Sequence, residues 1–306
     1  MALKDKRKAH FLALVVMLIW GVSYLCIKVV VKEIDPTVSA FYRFFIATIF
    51  LFIFLKWKFP EEKILKEDRI KIAFAGLFGV ALYFFFENYS VLFTSASNVA
   101  ILISTIPVFT LISQRIVFKE KMTVLKVVGA VLSLLGIVII IGSKEKISLF
   151  STGTRGDLLA LAAALSWVVY NIITSKLKGS YKSITVTAYQ GIWGCIFLSP
   201  SLFLTSRLIP SFKGSMNLLF LAVFCSIIAY AMYLYCLDHL GATVLNTYIN
   251  LQPIVSLAAA SLILKENVNI WQISGCIIII LGVSLVSFGE KIIKFINKNK
   301  NLELEV

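Results

Sequence analysis

Arg43 and Glu87 are the two charges set well inside apolar runs of this chain. An ionised Arg or Asp deep in a membrane helix costs about 2.5 to 3.5 kcal/mol, so each of these charges must face protein or water and gain from a partner. Both lie about six positions, roughly 9 Å at 1.5 Å per residue, from the same edge of their runs, which reads as a charge pair. Glu87, with Arg43 tuning its proton affinity, can recognise a zwitterionic or cationic solute or carry a proton. The plainer alternative is that Arg43 snorkels to the interface while Glu87 lines a vestibule; Lys28, nearer the edge, is expected to snorkel.

Polar side chains also gather at two prolines: Ser104 and Thr105 before Pro107, and Asn246, Tyr248, Asn250 and Gln252 before Pro253. Each proline lacks an N–H and frees the carbonyl four residues earlier, at Ile103 and Ile249. Such groups persist in lipid only where protein, a cavity or water satisfies them. Asn246, Asn250 and Pro253 share a helix face by spacing, as do Trp20 with Tyr24 and Trp167 with Asn171 and Thr174. These sets read as cavity lining with Pro107 and Pro253 as hinges; packing kinks and interfacial Trp anchors are the alternatives.

These residues need helices in lipid to position them. The chain has 306 residues, 59% of them hydrophobic and 15% charged, with a mean hydropathy of +0.91. A water-soluble surface needs far more charge, so the solvent is a bilayer. The net charge of +14 does not mark a nucleic-acid binder, because the basic residues sit in short gaps between apolar runs. Five cysteines without a CxxC pair, and His10 and His239 alone, argue against a disulfide framework or a metal cluster. No cofactor is expected. The basic "KDKRKAH" start leads into an apolar run without a small-residue cleavage site, which reads as a retained membrane helix.

Runs long enough to span cover about 10–31, 37–56, 70–93, 96–118, 123–142, 157–176, 184–206, 216–237, 242–264 and 270–289. Ten is the preferred count; nine is the alternative, since only "TSASN" parts the third and fourth runs. With both termini cytoplasmic, 21 basic residues fall inside against eight outside.

At an offset of 146, Phe74, Ala96, Ile103, Pro107, Leu111, Lys119, Glu120, Gly129 and Gly136 meet Phe220, Ala242, Ile249, Pro253, Leu257, Lys265, Glu266, Gly275 and Gly282. Thr123 meets Asn269, both apt N-caps. The chain therefore reads as two five-helix halves, residues 1–148 and 149–306, the second with a basic C-terminal tail. An odd number of helices per half inverts the second, an arrangement associated with alternating access. Gly191 and Tyr233 stand at the repeat positions of Arg43 and Glu87, so that pair is one-sided. Glycines seven apart on the fifth and tenth runs mark scaffold or self-association faces, which permits a homodimer.

"WGVSY", "YRFFIA", "FTSASNVAILISTIPVF" with its "KE", and "LGATVLNTYINLQPIVSLAAASLILKE" with "GCIIIILGV" resemble the EamA-type transporters of the drug/metabolite transporter superfamily, over about residues 10–290. The resemblance implies ten helices, with a cavity lined by the first, third, fourth, sixth, eighth and ninth. It places Trp20, Glu87, Asn88, Asn98, Ser104, Trp167, Asn171, Asn246 and Asn250 near that cavity. The residue pattern adds Tyr24, Tyr170, Tyr248 and Gln252. The expectation is an all-α, plasma-membrane secondary transporter that moves a small polar metabolite, such as an amino acid, by export. The alternative is a channel or receptor-like membrane protein. The absence of GxSxG, HExxH and Walker motifs argues against an enzyme and leaves a proton, an ion or the solute gradient as the driving force.

Overall fold

The computed structural model describes residues 3–117, 119, 123–142, 151–233, 235–236, 239–240, 248 and 251–303. Among the described residues the chain is helical, without strands. Six helices are long and apolar enough to cross a membrane: Arg7–Glu33 within α1 (Leu3–Glu33), α2 (Pro36–Lys58), α3 (Lys66–Phe93), α4 (Ala96–Val117), α6 (Thr152–Ser175) and α8 (Phe212–Tyr233). Between and after them lie α5 (Val124–Gly142), α7 (Ser183–Leu198), α9 (Leu251–Ile263) and α10 (Ile270–Glu303). Large apolar side chains recur on outward faces, such as Phe45, Ile49 and Ile53 on α2 and Val131, Leu135 and Val138 on α5. With three- and four-residue spacing these form stripes suited to lipid.

Helix starts follow side chains that accept orphan amides. Asp35 accepts from Thr37 N at 2.8 Å with Pro36 at the first helical position, and Ser151 accepts from Thr154 N at 3.2 Å. Asn269 and Gln272 form a reciprocal capping box on α10, with Gln272 N donating to Asn269 Oδ1 at 2.8 Å and Asn269 N to Gln272 Oε1 at 3.0 Å.

Two irregularities matter for the site. Helix α4 breaks into Ala96–Ile103 and Ile106–Val117, and Pro107 is the second residue of the second piece. The expectation was a kink within one helix. Instead the proline sits in a first turn, where its missing N–H would be an orphan anyway, and the break falls at Ser104–Thr105. There the Ser104 and Thr105 hydroxyls donate back to the Ile101 and Leu102 carbonyls at 2.7 and 2.6 Å. Pro253 is buried, third in α9. Helices α3 and α8 each contain a π-helical stretch, Leu77–Leu82 and Leu221–Ile228, whose last residues are 146 positions apart.

The seven-spaced glycines face each other within the chain. A Cβ at Gly129 would lie 2.6 Å from the Gly282 carbonyl oxygen, and one at Gly136 would lie 2.9 Å from that of Gly275. These stripes are occupied by the α5–α10 contact.

Candidate functional site: a cavity closed at one end

The two ends of the bundle are tied differently. At one end, the α2–α3 and α6–α7 connections meet around Asp68, which is buried. Its Oδ2 accepts from Lys178 N (2.9 Å), Gly179 N (3.0 Å) and Tyr181 Oη (2.9 Å), while Lys71 Nζ reaches Oδ1 at 2.8 Å. This is the basic end.

At the opposite end, hydrogen bonds join six helices. Lys28 of α1 donates to the Val91 carbonyl at 2.5 Å and to that of Thr94, satisfying carbonyls at the α3 C-terminus. Thr94 Oγ1 and Asn98 Nδ2 both donate to Asp157 Oδ1 of α6, at 2.8 and 3.3 Å. Gln272 Nε2 of α10 donates to Asn98 Oδ1 at 2.6 Å. Glu266, just after α9, accepts from Ala96 N and Ser97 Oγ, both at 3.2 Å, and so caps α4 from the other half of the sequence.

Between these ends lies a cavity of about 900 Å³. Its wall runs from Glu87 and Tyr24 through Trp20, Tyr83, Trp167 and Ser104 to Thr174, Leu177, Tyr181 and Lys126 at the basic end. Its lining thus reaches the basic end and includes none of the side chains of the network at the other. Aromatic rings form the mid-section: Tyr83 to Trp167 (5.1 Å), Trp167 to Tyr170 (4.9 Å) and Trp20 to Tyr233 (5.3 Å between centroids). The π stretches border it through Gly79 and Val80, and through Cys225 and Ser226. Trp20 Nε1 donates to the Cys225 carbonyl at 3.0 Å, and Ser166 Oγ to that of Phe78 at 2.8 Å. Each π stretch thus offers carbonyls to the first helix of the opposite half.

Arg43 and Glu87 both line this cavity but do not form the expected ion pair. Arg43 Nε donates to Ser226 Oγ at 2.8 Å, and its guanidinium lies over the Phe84 ring at 4.6 Å. Glu87 Oε1 accepts from Tyr83 Oη at 3.0 Å, one turn back on the same helix, whereas Glu87 Oε2 has no partner among the described residues.

Of the other residues named from sequence, Tyr170, Asn171, Pro107 and Gln252 also line the cavity, and Gln252 Nε2 reaches Met17 Sδ at 3.5 Å. Three lie elsewhere. Asn88 donates to the Pro36 carbonyl at 2.8 Å and ties α3 to the start of α2; Asn98 belongs to the closing network; Tyr248 Oη meets His10 Nδ1 at 2.7 Å. Lys28 reaches the uncapped carbonyls at the α3 C-terminus. Asn246 and Asn250 lie outside the described residues. Sequence reasoning missed Tyr83, Ser226, Asp157 and Gln272. The four-residue spacing from Tyr83 to Glu87 was the available signal for the first.

A model of the EamA-like transporter family matches the chain twice, at residues 7–142 and 154–288. The chain belongs to the EamA-like transporter family. This family member is 33% identical over 284 residues to an uncharacterized transporter of Archaeoglobus fulgidus, covering 92% of this chain and 97% of the relative. It is 25% identical over 304 residues to a Salmonella typhimurium protein named "Probable amino-acid metabolite efflux pump", covering 94% and 97%. A crystal structure 15% identical in sequence superposes with a TM-score of 0.66 over 91% of this chain and 98% of that one, a likeness of fold alone. The chain is thus a multi-pass helical membrane transporter.

Proposed function

We propose that this transporter is a secondary carrier that exports a small zwitterionic metabolite, an amino acid or a close relative, across the plasma membrane by alternating access. Its two halves are five-helix repeats of opposite orientation, ten helices in all, with both termini and the basic end cytoplasmic. In this reading the cavity is the inward-facing site, and the network of Lys28, Asp157, Asn98, Gln272 and Glu266 is the closed outer gate.

The observation that carries the reading is that Arg43 and Glu87 share one cavity without neutralising each other. A bare carboxylate oxygen in a pocket of low polarity costs free energy unless an ammonium group or a proton reaches it. A guanidinium held through Nε keeps its terminal amino groups for a carboxylate. The aromatic mid-section then takes an apolar side chain. The amino-acid efflux name printed for the Salmonella relative agrees with this substrate class. The test is uptake of a solute panel into liposomes containing the purified protein, with and without a pH gradient. Saturable uptake of zwitterionic amino acids, with simple cations and sugars excluded, supports the reading; uptake of neutral sugars alone defeats it.

A further inference from the structure

A second cavity, of about 420 Å³, lies at the basic end, between α2, α3 and α7. Its lining is Lys56, Lys63 and Arg69, with Ile64, Ile72, Tyr189 and Trp193 below. The cations lie at the helix ends: Lys56 is near the α2 C-terminus, Arg69 is in the first turns of α3, and Lys63 is in the connection between them. Trp193 is ten residues into α7, about 15 Å deeper at 1.5 Å per residue. Gly76 lets α7 approach α3 here, since a Cβ on it would lie 2.6 Å from Trp193 Cβ.

The cations are left uncompensated by nearby acids. Among the described residues, Lys63 and Arg69 make no ion pair or side-chain hydrogen bond, and Lys56 only approaches the Phe52 ring at 5.8 Å. Of the acids in the same segment, Glu62 accepts from Thr185 Oγ1 (2.8 Å), Glu67 pairs with Lys178 (2.5 Å) and Asp68 is filled by four donors; Glu61 is exposed and, among the described residues, forms no ion pair with the three cations. Three positive charges at headgroup depth thus crown an apolar slot that runs into the hydrocarbon region.

We propose that this groove binds one anionic phospholipid of the leaflet at that end, with its phosphate among Lys56, Lys63 and Arg69 and an acyl chain along Ile72, Tyr189 and Trp193. Phosphate chemistry alone would satisfy the cations, but a free phosphate ion leaves the apolar slot empty, so charge and shape together select a lipid.

The full-length protein in mild detergent tests this, with thermal unfolding and native mass spectrometry as readouts. The probes are phosphatidylglycerol, phosphatidylcholine with the same acyl chains, and inorganic phosphate. The expected result is retention and stabilisation by phosphatidylglycerol only. Combining Lys56→Gln, Lys63→Gln and Arg69→Gln weakens that binding about tenfold or more, while Lys294→Gln, Lys298→Gln and Lys300→Gln, the same charge loss elsewhere, leave it unchanged. Trp193→Ala weakens long-chain phosphatidylglycerol more than a short-chain analogue, and it serves if the triple variant misfolds. The proposal is overturned if phosphate alone reproduces the stabilisation, if both triple variants lose the lipid equally, or if the groove variants retain it as the wild type does.

Discussion

Lys119 and Lys265, 146 positions apart, share a left-handed backbone, with φ of 56° and 54°. Among the described residues they are the non-glycine positions with positive φ. Each is the Lys of a Lys-Glu pair that stops a membrane helix, and at the second one Glu266 N closes back onto the Ala260 carbonyl at 3.1 Å. A backbone state that costs about 1 kcal/mol or more for a side-chain residue is thus used twice at equivalent points. Lys119→Gly and Lys265→Gly are expected to leave thermal stability unchanged or raise it by up to about 1 kcal/mol, whereas Val at either site lowers it by about 1 to 2 kcal/mol. Melting curves of the four purified variants check this.

The α5–α10 contact depends on backbone meeting backbone at Gly129 and Gly282. Gly129→Leu should therefore cost about 3 kcal/mol or more, beyond ordinary overpacking, because a carbonyl rather than a flexible side chain must move. A surface change on the same helix, Val131→Leu, should be neutral. Comparison of detergent melting temperatures separates the two.

At Ser104–Thr105 the chain is broken so that Pro107 need not interrupt a helix. Pro107→Ala restores an N–H able to bond the Ile103 carbonyl and favours one continuous α4. Transport is expected to fall severalfold while the melting temperature changes little. Unchanged transport in both Pro107→Ala and Pro253→Ala would reduce the prolines to packing elements.

Much of this fold can be read from sequence because lipid demands long apolar runs, and because duplicated helices keep matched residues such as Pro107 and Pro253. The site is less legible. A polar residue in a membrane helix has several uses, and spacing along one helix does not say which neighbour faces it. Asn88 and Asn98 therefore read as cavity residues, although their partners, the Pro36 carbonyl and Asp157, close contacts at helix ends. The π stretches are invisible for a different reason: one extra residue per turn leaves no mark in a run that is apolar on every face. Arg43 misled because matched depth fixes height in the membrane, not the azimuth that turns it toward Ser226.

In the proposed alternating-access cycle, the closing network should set the balance between the two cavity orientations. Gln272→Leu removes the donor to Asn98 Oδ1 and weakens the seal by about 1 kcal/mol, enough to raise the minor open population about fivefold. Ser23 lines the cavity, and a membrane-impermeant thiol reagent applied from the network end should label Ser23→Cys faster in that background than in an otherwise wild-type chain. Equal labelling would remove these contacts from the gate.

Glu87 is the clearest point of contact between geometry and coupling. With Oε1 held by Tyr83 and Oε2 without a partner among the described residues, Glu87→Gln keeps the shape and removes the charge. Its transport should lose its dependence on pH if the carboxylate carries the proton, or lose zwitterion affinity about tenfold or more if it holds the ammonium group. A variant unchanged in both respects would assign Glu87 to packing. Initial rates across a pH series, resolved into KM and kcat, distinguish these outcomes.

One cavity presents both Arg43 and Glu87, and the proposed carrier opens it to one side at a time. Counterflow in proteoliposomes measures that directly. Vesicles preloaded with an unlabelled zwitterionic amino acid should accumulate the labelled form transiently above equilibrium, and Arg43→Gln and Glu87→Gln should each suppress the overshoot. Rapid equilibration with no overshoot, together with ohmic current, would contradict the carrier and describe a channel.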